Sequence, residues 1–349
     1  TDSAGDYVLP ARINASQTLG AGVGVDLGQL AAAYSGDTLF TKRVTRLFSP
    51  IDVAYSRSLI SALDGAPGGG SLGFQLGLGN VGGYRYVNGV PASTAGFTGT
   101  WTANSALNLP LGLVVVNRYR RTSNHNWVRR LDDTQAQVQG LTTTFPDFNV
   151  RWNWRPPAPA LMSWVTAVGA ALGYTRSVAT ASLLSDLNAL APDLRRARIN
   201  SYPVSGSITW GFGGLSTAAG YTLTQRVDSL PGSYARGRSE DVNVDIGRSF
   251  TVPPSWGLGI KNAVRARFGL QQSHTLSYVY ADDGSQRSRL VDNGRSAINL
   301  NADTDLSETM QFTLQVSRII TYDNNLNRRL NQFVLSTILQ IQFASGPLR

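Results

Sequence analysis

Cysteine is absent from this 349-residue sequence, and histidine and lysine occur twice each. Without thiols there are no disulfides, no thiolate nucleophiles and no zinc–thiolate centres. Imidazole chemistry is confined to His125 and His274. Charged residues make up 15% of the chain, against about 25% in ordinary globular proteins. Apolar runs are too few for a helical membrane protein. These shortages speak against most enzymes. The space is filled by 36 Gly and by many Ser, Thr, Asn and Gln, groups that stay neutral but still hydrogen-bond.

The bases are nearly all arginine. Lys+Arg number 31 against 22 Asp+Glu, a net charge of +9, and only Lys42 and Lys261 are lysines. A nucleic-acid reader concentrates its charge in a stripe with aromatics interleaved. Here the arginines are spread along the chain, with small clusters at Arg118/Arg120/Arg121, Arg129/Arg130 and Arg195/Arg196/Arg198. We therefore expect no nucleic-acid partner. The guanidinium fork suits the phosphates of outer-membrane lipid or lipopolysaccharide instead. No signal peptide opens the chain, and Thr1-Asp2-Ser3 reads as the start of a mature or excised product.

What dominates the sequence is period two. Met310, Phe312, Leu314 and Val316 alternate with Thr309, Gln311, Thr313, Gln315 and Ser317. Phe148, Val150, Trp152 and Trp154 alternate with Asp147, Asn149, Arg151, Asn153 and Arg155. Strand side chains point to alternate sides, so each such segment predicts a strand wet on one face only. Similar runs near 51–61, 71–79, 95–106, 111–122, 134–143, 162–176, 201–212, 214–226, 239–250, 260–271, 293–303 and 332–343 bring the total to about fourteen strands. Turn signals separate them, among them Phe145-Pro146-Asp147, Gly213-Gly214 and Asp323-Asn324-Asn325. Many runs reach the ~9–11 residues with which a tilted strand crosses a bilayer. Their polar faces carry amide and charged side chains too wide for a small packed core, but suited to a water-filled lumen.

The sequence thus predicts an all-β, transmembrane antiparallel β-barrel over 47–349, complete or an arc of a larger one. Trp101, Trp152, Trp154, Trp164, Trp210 and Tyr221 would mark the membrane interfaces. Arg118, Arg120, Arg151, Arg155, Asp241, Asp245, Arg265 and Arg267 would face the lumen, with Glu240 beside them and arginines opposing the acids. Residues 1–46 alternate weakly and read as a plug, a periplasmic segment or additional strands. The uncharged stretch 156–175 is long enough for a helix, yet its large and small residues alternate at period two, as in a strand. The one helix is expected in a long loop, 177–200: Leu183, Leu184, Leu187 and Leu190 follow helical spacing, with Ser182 or Ser185 as N-cap.

Chemical motifs are weak. Gly77-Leu78-Gly79-Asn80-Val81-Gly82 matches G-x-G-x-x-G, but no helical period follows to present amides to a pyrophosphate. The pairs Asp132/Asp133 and Asp282/Asp283 fall in turns, where Asp caps backbone amides. His125 and His274 read as loop or interface histidines. No catalytic, cofactor or metal site is expected.

Several segments together resemble the C-terminal part of the SprA/Sov family, the giant outer-membrane barrels of type IX secretion and gliding motility. They are Arg46-Leu47-Phe48-Ser49-Pro50-Ile51-Asp52-Val53-Ala54-Tyr55-Ser56-Arg57, Leu72-Gly73-Phe74-Gln75-Leu76-Gly77-Leu78-Gly79, Phe145-Pro146-Asp147-Phe148-Asn149-Val150-Arg151-Trp152, and the closing run from Leu300 to Phe343. The resemblance implies a protein-secretion translocon in the bacterial outer membrane, with a wide export pore, partner subunits and secreted cargo. The chain is shorter than members of that family. A porin-like closed barrel for small solutes and a soluble β-rich surface adhesin are the alternatives.

Overall fold

The computed structural model describes residues 12–35, 38–64, 72, 76, 80–87, 89–130, 135–156, 164–184, 193–230, 232–252, 262–281, 283–284, 287–307 and 309–341. Among them, thirteen strands form one antiparallel sheet in which chain order is almost spatial order. The strands are β1 (Arg12–Val25), β2 (Ile51–Asp64), β5 (Thr94–Leu109), β6 (Leu113–Arg129), β7 (Gln135–Trp154), β8 (Val165–Leu184) and β9 (Asp193–Trp210). They continue through β10 (Ser216–Leu230), β11 (Ser233–Thr251), β12 (Ala263–Ala281), β13 (Arg287–Ser307), β14 (Met310–Asp323) and β15 (Arg328–Ile341). β3 (Tyr86–Val87) and β4 (Val90–Pro91) make a separate small ribbon. The wall strands run 14 to 21 residues, far beyond the usual ~5–6 of soluble sheets.

The tally of thirteen rather than about fourteen has local causes. β1 joins the wall, paired with β2 from Arg12↔Asp64 to Val25↔Ile51, so part of 1–46 is additional strand. The segments 134–143 and 147–155 are one strand, β7, because Phe145-Pro146 is a bulge and not a turn. Proline has no N–H to give the ladder, and the register slips between Thr144 and Asp147. That slip changes the phase of the alternation, so Thr144 and Asp147 share a face. Of the expected strand 71–79, only Leu72 and Leu76 are described, and Leu76 N–H donates to the Leu72 carbonyl, as in a helical turn.

The helix expected in 177–200 is absent from the described residues. β8 continues to Leu184 and β9 already begins at Asp193, paired by Ala179↔Ala197 and Ala181↔Arg195. Cross-strand hydrogen bonds between two long neighbours outweigh a weak leucine spacing; residues 185–192, with Ser185, Leu187 and Leu190, lie outside the described set. The helices found are α1 (Leu27–Ser35), α2 (Thr38–Leu47) and the short α3 (Val81–Arg85). Asp26 caps α1 by accepting from Gly28 N–H at 2.8 Å. α1 and α2 fill the link between β1 and β2, and Ser49 N–H to the Ala106 carbonyl ties its end to β5. The five-residue α3 begins inside the glycine-rich motif, at Val81, capped by Asn80, where no helical period was expected; Gly77 and Gly79 are outside the described residues.

α3 and the β3–β4 ribbon pack over one end of β1, β2, β5 and β6. Leu59, Leu63 and Ala15 are buried there beneath Tyr84, and Ala95 and Trp127 beneath Ala92. Arg85 lies 4.8 Å over the Trp127 ring and donates to Gln135. This is a local second layer. Across the rest of the sheet the apolar rows have none among the described residues.

Candidate functional site

Cross-strand register assigns every residue to a face, since directly paired residues point the same way. One row runs Trp154, Val168, Ile208, Thr217, Ile246, Phe268, Leu300, Val316, Leu335 across nine strands, β7 to β15. Ile246, Phe268, Leu300 and Leu335 are exposed, Phe268 at 38% and Leu335 at 62%, and the other five are half-buried. In water such a continuous apolar face carries a large free-energy penalty, on the order of 25 cal/mol per Å².

Aromatics bound this apolar face. At one end, near the links 155–164 and 211–215, Trp152 and Trp154 stack at 6.2 Å, Trp164 and Trp210 at 5.7 Å, with Phe212 beside them. Trp210 Nε1 donates to Thr217 Oγ1 and Trp152 Nε1 to the Leu111 carbonyl. Toward the other end come Tyr55–Trp101, Phe148–Tyr174 and Tyr174–Tyr202, with centroids 4.6, 5.8 and 5.0 Å apart. Tyr202 and Trp210 share a strand and a face eight residues apart, about 27 Å at ~3.4 Å per residue. Tyr221 stands inside the band, between Val204 and Val242.

The opposite face is polar. Arg118 lies opposite Asp147, and Arg120 opposite Thr102 and Thr144. Asp147 accepts from Thr175, and Arg151 donates to Asn149. Arg265 pairs with Asp303 at 2.6 Å and reaches Asp305 at 3.7 Å. Arg267 lies beside Asn301, and Asp241 and Asp245 beside Ser273 and Gly269. Arg155 shares the parity but sits one residue beyond β7, at the rim. An open recess of about 530 Å³ is lined by Arg265, Arg267, Asn301, Asp303 and glutamines of β14. Between these charged stretches the face is slim: Gly169, Ala171 and Gly173 on β8 meet Ser207, Ser205 and Pro203 on β9.

Three sequence expectations need correction. Glu240 is on the apolar parity, ion-paired with Arg238 and opposite His274. Asp241 and Asp245 are flanked by Thr222, Ser273, Ala218 and Gly269, and not opposed directly by arginines. His125 is no loop residue; it lies within β6, 5.7 Å from the Phe97 ring and 5.9 Å from Trp127.

Beyond the tyrosine level the strands continue, and His274 bonds Asp292, which Arg289 also holds at 2.9 Å. The His274 hydrogen bond, with help from Arg289, holds the Asp292 carboxyl below its usual range. A depressed carboxyl stabilises the fold above the ordinary carboxylate range and loses that contribution as pH falls through its lowered folded value. Amide exchange at Asn324, whose N–H donates to the Asp292 carbonyl, is expected to accelerate in that acid window. Asp292→Asn should abolish the acid-induced change; an unchanged profile in the variant would remove Asp292 as its cause.

A long-stranded sheet with one girdled apolar face and one charged face is the wall of a membrane β-barrel of the bacterial outer-membrane type. No helix among the described residues is long and apolar enough to cross a membrane. No family model matches the chain, and no curated protein matches it. Among solved structures it is similar to the FpvAI–pyocin S2 complex, with 9% identity, TM-score 0.40, and 96% of this chain and 52% of that one covered. It is likewise similar to the ferripyoverdine receptor of the outer membrane of Pseudomonas aeruginosa, at 9% identity and TM-score 0.39, over 96% of this chain and 54% of the receptor. For the alcaligin outer-membrane receptor FauA from Bordetella pertussis the values are 12%, 0.34, 97% and 66%. The chain spans about half the length of the first two.

Proposed function

We propose that this chain is an arc of a wide outer-membrane β-barrel that passes proteins outward, as its SprA/Sov resemblance implies. The observation that carries the arc is strand direction. Antiparallel neighbours alternate, so in a sheet of thirteen the first and last strands run the same way. β1 and β15 are therefore unable to close on each other through an antiparallel ladder, and they are not paired among the described residues. An antiparallel closure takes a further odd number of strands, giving a larger circumference and a wider lumen. The charged face then lines water, and partner subunits and secreted cargo meet that lining.

The test is single-channel conductance of the full gene product in planar bilayers, with heat-modifiable gel migration of the 349-residue chain alone. A wide, weakly selective conductance from the full product, without a compact heat-modifiable form of the chain alone, supports the arc. A compact chain with small porin-like steps replaces it with the solute channel. A detergent-indifferent soluble chain would leave only the adhesin.

A further inference from the structure

Arginine on the polar face has a lumen to meet; arginine on the apolar face needs another partner. Just past Tyr174 and Tyr202, on their face, stand Arg176 on β8, Arg196 and Arg198 on β9, and Arg236 and Arg238 on β11. The register sets them together: Arg176 pairs with Asn200, and Val227 of β10 lies between Arg198 and Arg236. Three strands carry the group, which spans four neighbours with β10 between, roughly 14 Å across at ~4.8 Å per strand. On this face of β8–β11 the described side chains include a single acid, Glu240, already engaged by Arg238. Asp228 is turned to the other face, where Arg226 holds it.

Arg236 is steadied over the Tyr234 and Tyr280 rings, at 5.2 and 5.7 Å. Arg176, Arg196 and Arg198 have no carboxylate partner among the described residues. Asn200 is buried in their midst at 8% exposure, and its Oδ1 accepts no hydrogen bond there. On β8 and β9 the order toward this end is thus aliphatic, tyrosine, arginine, and on β11 Arg238 and Arg236 follow Val242 and Glu240. The two strands continue beyond Tyr174 and Tyr202 to Leu184 and Asp193, so the arginines stand past the aromatic level.

We propose that Arg176, Arg196, Arg198, Arg236 and Arg238 form a binding site on the membrane-facing side of the wall for the phosphorylated sugar headgroup of lipopolysaccharide. Guanidinium forks take phosphate oxygens bidentately, the tyrosine level sits at the acyl–headgroup boundary, and Asn200 offers an acceptor to a sugar hydroxyl or amide. The site rests on the outer-membrane wall reading and names its lipid.

The test is quantitative lipid analysis of the full-length protein, extracted from outer membranes in mild detergent and washed with a detergent excess. Arg196→Gln/Arg198→Gln should reduce retained lipopolysaccharide about thirtyfold, each arginine being worth on the order of fivefold beside an anionic lipid surface. Arg226→Gln, on the opposite face of the same sheet region, should leave retention unchanged. Exchange against lipid A must displace the retained lipid where phosphatidylglycerol or inorganic phosphate at equal phosphorus does not. Equal displacement by phosphatidylglycerol, unchanged retention in the double variant, or an acidic protein recovered in place of the lipid each overturns the site. Wild-type protein found in the outer membrane without bound lipopolysaccharide also sinks the site but spares the wall; a wild-type protein absent from that membrane sinks the wall reading itself.

Discussion

Val204→Arg will sharply reduce folding into lipid vesicles, while Ser205→Arg, its chain neighbour, will be tolerated. Val204 lies between Leu172 and Tyr221 on the apolar face and is 44% exposed. Against hydrocarbon, an arginine costs about 2–4 kcal/mol at the midplane, falling toward zero at the interfaces, and Val204 stands partway between Tyr202 and the middle of the band. Ser205 sits between Ala171 and Gly220 on the polar face, where small neighbours leave room for a solvated guanidinium. Denaturant titration of both variants in vesicles reads the difference directly. Equal penalties, or the opposite order, would mean that the two faces have been assigned to the wrong solvents.

Gly173→Val is the second large effect expected, and it acts by steric means. A Cβ at Gly173 meets Pro203 Cγ at 2.8 Å, with Asn149 Nδ2 at 3.4 Å. Proline has no N–H to give the ladder, and here its ring occupies the space that the missing Gly173 side chain leaves open. Overpacking of this kind costs about 1–3 kcal/mol. Pro203→Ser should recover most of the loss in Gly173→Val, because the collision is then removed from the other side. Purely additive losses in the double variant would show that Gly173 is needed for some reason other than the ring of Pro203.

The period-two pattern makes the strands and their half-wet character legible in the sequence alone. The local signals were weaker guides. Leu183, Leu184, Leu187 and Leu190 suggested a helix because spacing along one segment contains nothing about the neighbour that will pair with it. The Phe145-Pro146 signal marked an interruption correctly but not its kind, a bulge being as good an answer to a missing N–H as a turn. β1 was hidden by its Gly- and Ala-rich sequence, which gives little contrast between faces. The membrane-side arginines were the real omission. Arg196/Arg198 and Arg236/Arg238 are each spaced by two, so on strands each pair must share a face; that signal was available once 193–210 is read as a strand.

The slim strip on β8 and β9 gives the polar lining an uneven texture. Glycine, alanine and serine there flank banks carrying Arg118 and Asp147 on one side and Arg265 and Asp303 on the other. Along the strip, backbone and short hydroxyls offer neither charge nor long side chains. Ions, by contrast, are drawn to the banks. The polar face is therefore uneven in charge, a neutral strip of short side chains set between two charged margins.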